Sequence, residues 1–95
     1  MPIAHIDVLI NVPPAEPPYW LTARSKRVVN LAEAFMPPAT LAEVRARIPR
    51  LVAVFGTGAP TAIVATHLHE AGIPLVLVTD DATVEAPGIE VLPAT

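Results

Sequence analysis

The chain contains no cysteine. That excludes disulfides, thiolate metal sites and a cysteine nucleophile. Serine occurs once, at Ser25, with no triad arranged around it. Basic residues stop early: all six Lys and Arg lie between Arg24 and Arg50. The lysine of a Walker-type phosphate loop is therefore missing, which excludes ATP hydrolysis of that kind. The N-terminus shows no basic region followed by an apolar core and a small-residue cleavage site. No signal peptide is expected, and a cytoplasmic location is the default.

What the chain has is apolar bulk. Its 95 residues suit one small domain, 1–95, and 53% of them are hydrophobic. A monomer of this size has little interior in which to hide that surface. A homo-oligomer, most simply a dimer, is the expectation. The longest uncharged stretch, 51–69, holds Gly56, Gly58, Pro60 and two histidines. It fits a buried strand and helix better than a membrane span of roughly 20 residues. Six basic residues, partly offset by Glu33 and Glu43, make a poor footprint for nucleic acid. The acids Glu70, Asp80, Asp81, Glu85 and Glu90 all follow the last arginine. A basic middle and an acidic end can pair within one molecule or between copies.

The segment 51–81 organises the rest. Leu51 to Phe55 and Leu75 to Val78 are unbroken apolar runs, as in parallel strands covered on both faces. Between them Ile63, Val64, His67, Leu68 and Ala71 recur at helical spacing. Pro60 suits a helix start and Gly72 a helix stop. The sum is one βαβ unit, and Gly56-Thr57-Gly58-Ala59-Pro60-Thr61 stands at its strand-to-helix turn.

That segment resembles the Rossmann dinucleotide-binding fingerprint, strand–GxGxxG–helix–strand–acid. Gly56 and Gly58 match the first two glycines, and Thr61 stands in place of the third. In that family the first glycine makes the tight turn and the second lets a pyrophosphate approach the helix N-terminus. Asp80 lies where the family places its ribose-binding acid. The resemblance implies a nucleotide or dinucleotide, or another phosphate-bearing ligand, held by Gly56, Thr57, Gly58, Thr61 and Asp80. The alternative is that the glycines only make a turn and the sheet is a scaffold for assembly.

The remaining chain supplies context. Residues 3–10 read as a strand, and His5 and Asp7 on one side suggest an edge position. Three strands in chain order would leave one apolar sheet face bare, which is the second ground for a dimer. Residues 11–20 form a proline-rich connection that reads as a plug, or a lid, carrying Tyr19 and Trp20. Residues 21–35 read as a helix with Arg24, Lys26 and Arg27 in its first turns, on the rim of Asp80 and Asp81. Thr40 and Glu43 read as a capping box for a helix near 40–48. His67 and His69, two apart, cannot share a metal as an i, i+4 pair could. The fold expected is α/β: a small, mainly parallel sheet of about four strands (3–10, 51–55, 75–79, 89–92), a Rossmann-like or flavodoxin-like half-domain. Catalysis ranks third, behind ligand binding and assembly, because Rossmann enzymes add a substrate domain.

Overall fold

A computed structural model describes residues 5–33 and 35–94. Among them, five strands form one wholly parallel sheet: β1 (Ile6–Asn11), β2 (Ser25–Asn30), β3 (Val52–Phe55), β4 (Leu75–Val78) and β5 (Glu90–Leu92). Three helices connect them: α1 (Tyr19–Ala23), α2 (Pro38–Ala46) and α3 (Ala59–Glu70). The order across the sheet is β2-β1-β3-β4-β5. That is the flavodoxin-like order of doubly wound α/β domains.

The order follows from which strands are apolar on both faces. Every residue of β3 is buried, and so are three of the four in β4. Such strands belong inside a sheet with cover on each side. On one face, Val44 of α2 and Val64 and Leu68 of α3 pack on Val8, Ile10, Val52, Val54 and Leu77. On the other, Leu21 of α1 joins Leu9, Ala53, Phe55, Val76 and Val78, with Ala15, Trp20 and Ala94 around them. The Trp20 indole N–H donates to the Ala94 carbonyl at 2.6 Å, so the proline-rich segment and the C-terminal tail close this face together. Tyr19 stays 84% exposed. Leu9, Leu21, Leu68 and Leu77 are fully excluded from solvent. Each such side chain contributes about 1.5–3 kcal/mol.

Two expectations are corrected here. Residues 21–35 are not one helix: α1 ends at Ala23, and Ser25–Asn30 pairs with β1 as an added edge strand. The Ser25 hydroxyl donates to the Leu21 carbonyl at the junction. Beyond it the β-branched pair Val28-Val29 fits a strand, and the backbone groups of β1 need partners on that side. Strand pairing therefore overrides the helical spacing of Leu21, Val28 and Leu31. The second correction concerns β1, which is not an edge: β2 lies outside it, and connections leave β1 and β3 in opposite directions. Helices then fall on both faces, so the bare face that argued for a dimer does not exist. Ile3 and Ala4, the expected start of β1, lie outside the described residues.

The helix α2 also begins earlier than its capping box. Pro38 opens it after the extended Pro37, and the Leu41 N–H donates to the Pro37 carbonyl. Thr40 is consequently inside the helix, and Glu43 turns instead to Arg27 and Arg47, at 3.3 and 3.5 Å.

Candidate functional site

In doubly wound sheets ligands lie beyond the strand C-termini where neighbouring connections diverge. Here that place is between β1 and β3. The turn Gly56–Gly58 leaves β3 at this point and feeds α3. Gly56 is buried, and a Cβ on it would stand 2.4 Å from Thr61 Oγ1 and 3.0 Å from Val12 Cβ. The turn is thus pressed against the exit of β1. Thr61, in the third-glycine position, is fully buried and donates its hydroxyl to the Thr57 carbonyl at 3.1 Å. Its side chain fills the space that the missing Gly56 side chain leaves. Gly58 has φ 78° and ψ 178°, a combination essentially confined to glycine. Thr57 is exposed.

The Gly58 N–H points at an anion, and that anion belongs to the chain itself. It donates to Asp81 Oδ2 at 2.9 Å. Asp81 Oδ1 accepts from the Thr83 N–H at 2.9 Å and the Thr83 hydroxyl at 2.6 Å. The Thr83 hydroxyl, the Thr83 N–H and the Gly58 N–H, in that order, hold the Asp81 carboxyl below its ordinary range. Asp80, read as the ribose acid, accepts from the Ala94 N–H at 3.0 Å and so ties down the tail. It is the second acid of the pair that reaches the turn. Sequence reading singles out Asp80 by its distance from the glycines; the adjacent Asp81 carries the same signal and is passed over.

Asn11 ends β1 on the same rim. Its Nδ2 donates to Asn30 Oδ1 at 3.2 Å, while its own Oδ1 is buried without a hydrogen-bond partner among the described residues. A buried acceptor in this state favours any donor that can reach it.

The cations are elsewhere. Arg24, Lys26 and Arg27 lie at the start of β2, Arg45 and Arg47 at the end of α2, and Arg50 just before β3. All six therefore sit on the N-terminal rim, opposite Asp80 and Asp81. This corrects the expectation of a shared edge, and its cause is the replacement of the expected helix by β2. On that rim Asp7 Oδ1 lies 3.1 Å from His5 Nε2, and Asp7 Oδ2 accepts the Arg50 N–H. The Arg50 N–H is the main reason that the Asp7 carboxyl falls below its ordinary value. The His5–Asp7 pair thus anchors the lead into β3.

Among the described residues no group of three or more His, Asp or Glu gathers as a metal site, and no helix is long and apolar enough to cross a membrane. Comparison with protein-family models, with curated proteins and with solved structures returns no match.

Proposed function

We propose that the chain is a small binding module, without catalysis of its own, that takes a nucleotide or other phosphate-bearing ligand at the glycine turn. The observation that carries this reading is the Gly58 N–H at the switch point, already donated to an anionic oxygen. Asp81 Oδ2 stands where a phosphate oxygen would have to stand. Its other oxygen is held by the Thr83 N–H and hydroxyl, so an incoming phosphate would have to displace Oδ2 against those two bonds. The buried acceptor on Asn11 offers a second polar contact on the same rim, suited to a hydroxyl or amino group. Binding is then an exchange of one anion for another, and its affinity is reduced by the charge that the ligand must displace.

A second reading draws on the same bond. Thr61 packs Gly56, and Asp81 satisfies Gly58, so the turn is closed by the chain's own groups. That suits a scaffold for homo-oligomeric assembly. The surfaces available for it include the outer edges of β2 and β5, where Val28 is 39% and Val91 41% exposed. Lys26 and Arg27 on β2 oppose edge-to-edge pairing there.

Calorimetric titration with NAD, NADP, ATP, AMP and cyclic nucleotides separates the two. Heat with any of them that changes on Asp81→Asn supports the ligand reading. No heat, together with a mass above that of one chain in sedimentation, supports assembly.

A further inference from the structure

Four cations surround a cavity on the rim away from the glycine turn. It measures about 680 Å³ and is lined by Lys26, Arg27, Arg47 and Arg50, with His5 and Asp7 at its wall. Small-molecule sites run from about 300 to 1,000 Å³. We infer that this cavity is an anion site for a small molecule carrying a phosphomonoester.

The charge balance selects the ligand class. Four cations face two carboxylates, those of Asp7 in the cavity and Glu43 beside it. The excess is two positive charges, and a phosphomonoester carries about −1.5 to −2 near neutral pH. The carboxylates also leave the right groups available. Glu43 engages Arg27 and Arg47 on one oxygen, at 3.3 and 3.5 Å, and fixes them side by side. Asp7 takes the backbone N–H of Arg50, not its guanidinium. Among the described residues neither Lys26 nor Arg50 makes an ion pair within 4.0 Å. These are the two cations that the ligand's phosphate would complete, Arg50 through a two-pronged contact.

The backbone supports the same assignment. Ile48 sits between Arg47 and Pro49 with φ 48° and is 84% exposed. A β-branched residue in that region is a true outlier. This strained turn carries the chain from Arg47 to Arg50 within three residues and brings both into one cavity. Beside it, a groove of about 260 Å³ between β2 and α2 shares Val8, Arg27 and Arg47 and adds Val28, Val29 and Val44. It gives the ligand's less polar part a wall next to the phosphate. A concave site of this size suits a small molecule better than a nucleic acid backbone, which needs a stripe of cations.

The inference is independent of the glycine turn, because the two sites lie on opposite rims. The test is an amide chemical-shift titration of the full chain with ribose 5-phosphate, with ribose alone and inorganic phosphate as comparisons. Shifts at Lys26, Arg27, Arg47 and Arg50, weaker with phosphate and absent with ribose, are expected. Arg47→Gln with Arg50→Gln should weaken binding at least about tenfold, with an unchanged circular dichroism spectrum, and added salt should weaken the wild type. Glu85→Gln, exposed and outside both sites, should leave it unaltered. No shifts with about 10 mM ligand, which is well above a millimolar Kd, would overturn the site. Shifts confined to Gly56–Ala59 would overturn it in favour of the glycine turn. Tighter binding of a single-stranded RNA oligonucleotide, titrated in parallel, at the same amides would overturn the small-molecule assignment.

Discussion

The backbone N–H of Gly58 donates to Asp81 Oδ2 at 2.9 Å, so the helix N-terminus read as a phosphate cradle holds a carboxylate of its own chain. Hydrogen bonds to Thr83 and Gly58 keep Asp81 ionised to lower pH than an unfolded chain would. A carboxyl depressed in this way stabilises the fold fully above its unfolded pKa, near 4, and loses that contribution as pH falls through the folded value. Wild type should therefore melt above Asp81→Asn at neutral pH, and the gap should close as pH falls below the ordinary carboxyl range. Asp7, lowered by its bond to the Arg50 N–H, leaves a residual acid dependence in the variant. Parallel melting curves for the two proteins across that range would show that Asp81 contributes nothing.

Gly56 and Thr61 are a matched pair. A Cβ at Gly56 meets Thr61 Oγ1 at 2.4 Å, closer than any real contact. Gly56→Ala should cost about 1–3 kcal/mol through overpacking. In Thr61→Ala the hydroxyl and methyl that crowd the site are gone. The double variant should thus be less destabilised than the two singles added together, by about 0.5–3 kcal/mol. Denaturant titrations of the four proteins measure the coupling, and strict additivity would refute the pairing.

The same turn shows how far the sequence reaches. The run 51–81 is legible because its signals agree: two unbroken apolar strands, a helical period, Pro60 and Gly72 at the ends. Residues 21–35 are not, because Leu21, Val28 and Leu31 fit a helix and only pairing with β1 makes a strand of Ser25–Asn30. Pairing is a tertiary fact, and with it went the strand order, the covered faces and the rim on which the cations stand. In the site, glycine spacing located the turn, but whether Asp80 or Asp81 reaches it depends on which way each side chain leaves the end of β4. The substitution Gly58→Val would block a ligand's approach to the backbone but is not a neutral probe, since φ 78° strains any side chain.

Ile48 has a backbone conformation that suits glycine. It follows Arg47, the C-cap of α2, in the position where helices favour a left-handed residue. Ile48→Gly should raise stability by about 1 kcal/mol, the left-handed penalty less the added freedom of the unfolded chain. Chemical denaturation checks the sign. A loss of stability would mean that the exposed isoleucine makes a contact that outweighs its strain.

Trp20 reports on the tail. Its indole N–H is held by the Ala94 carbonyl at 2.6 Å, and the Ala94 N–H by Asp80 at 3.0 Å. Truncation after Pro93 removes both bonds and uncovers the chain's only tryptophan. Its fluorescence should shift to longer wavelength and the melting temperature should fall. Unchanged emission would place the tail off this face.

The glycine turn as a phosphate site is tested most directly by calorimetric titration of wild type, Asp81→Asn and Asp81→Ala with the nucleotide that binds best. If Asp81 occupies the phosphate position, removing its charge should tighten binding by about tenfold, equivalent to roughly 1.4 kcal/mol, and Asp81→Ala should bind at least as well as Asp81→Asn. Weaker binding in both variants, or no heat in any of the three proteins, would contradict the site and leave the turn a structural one.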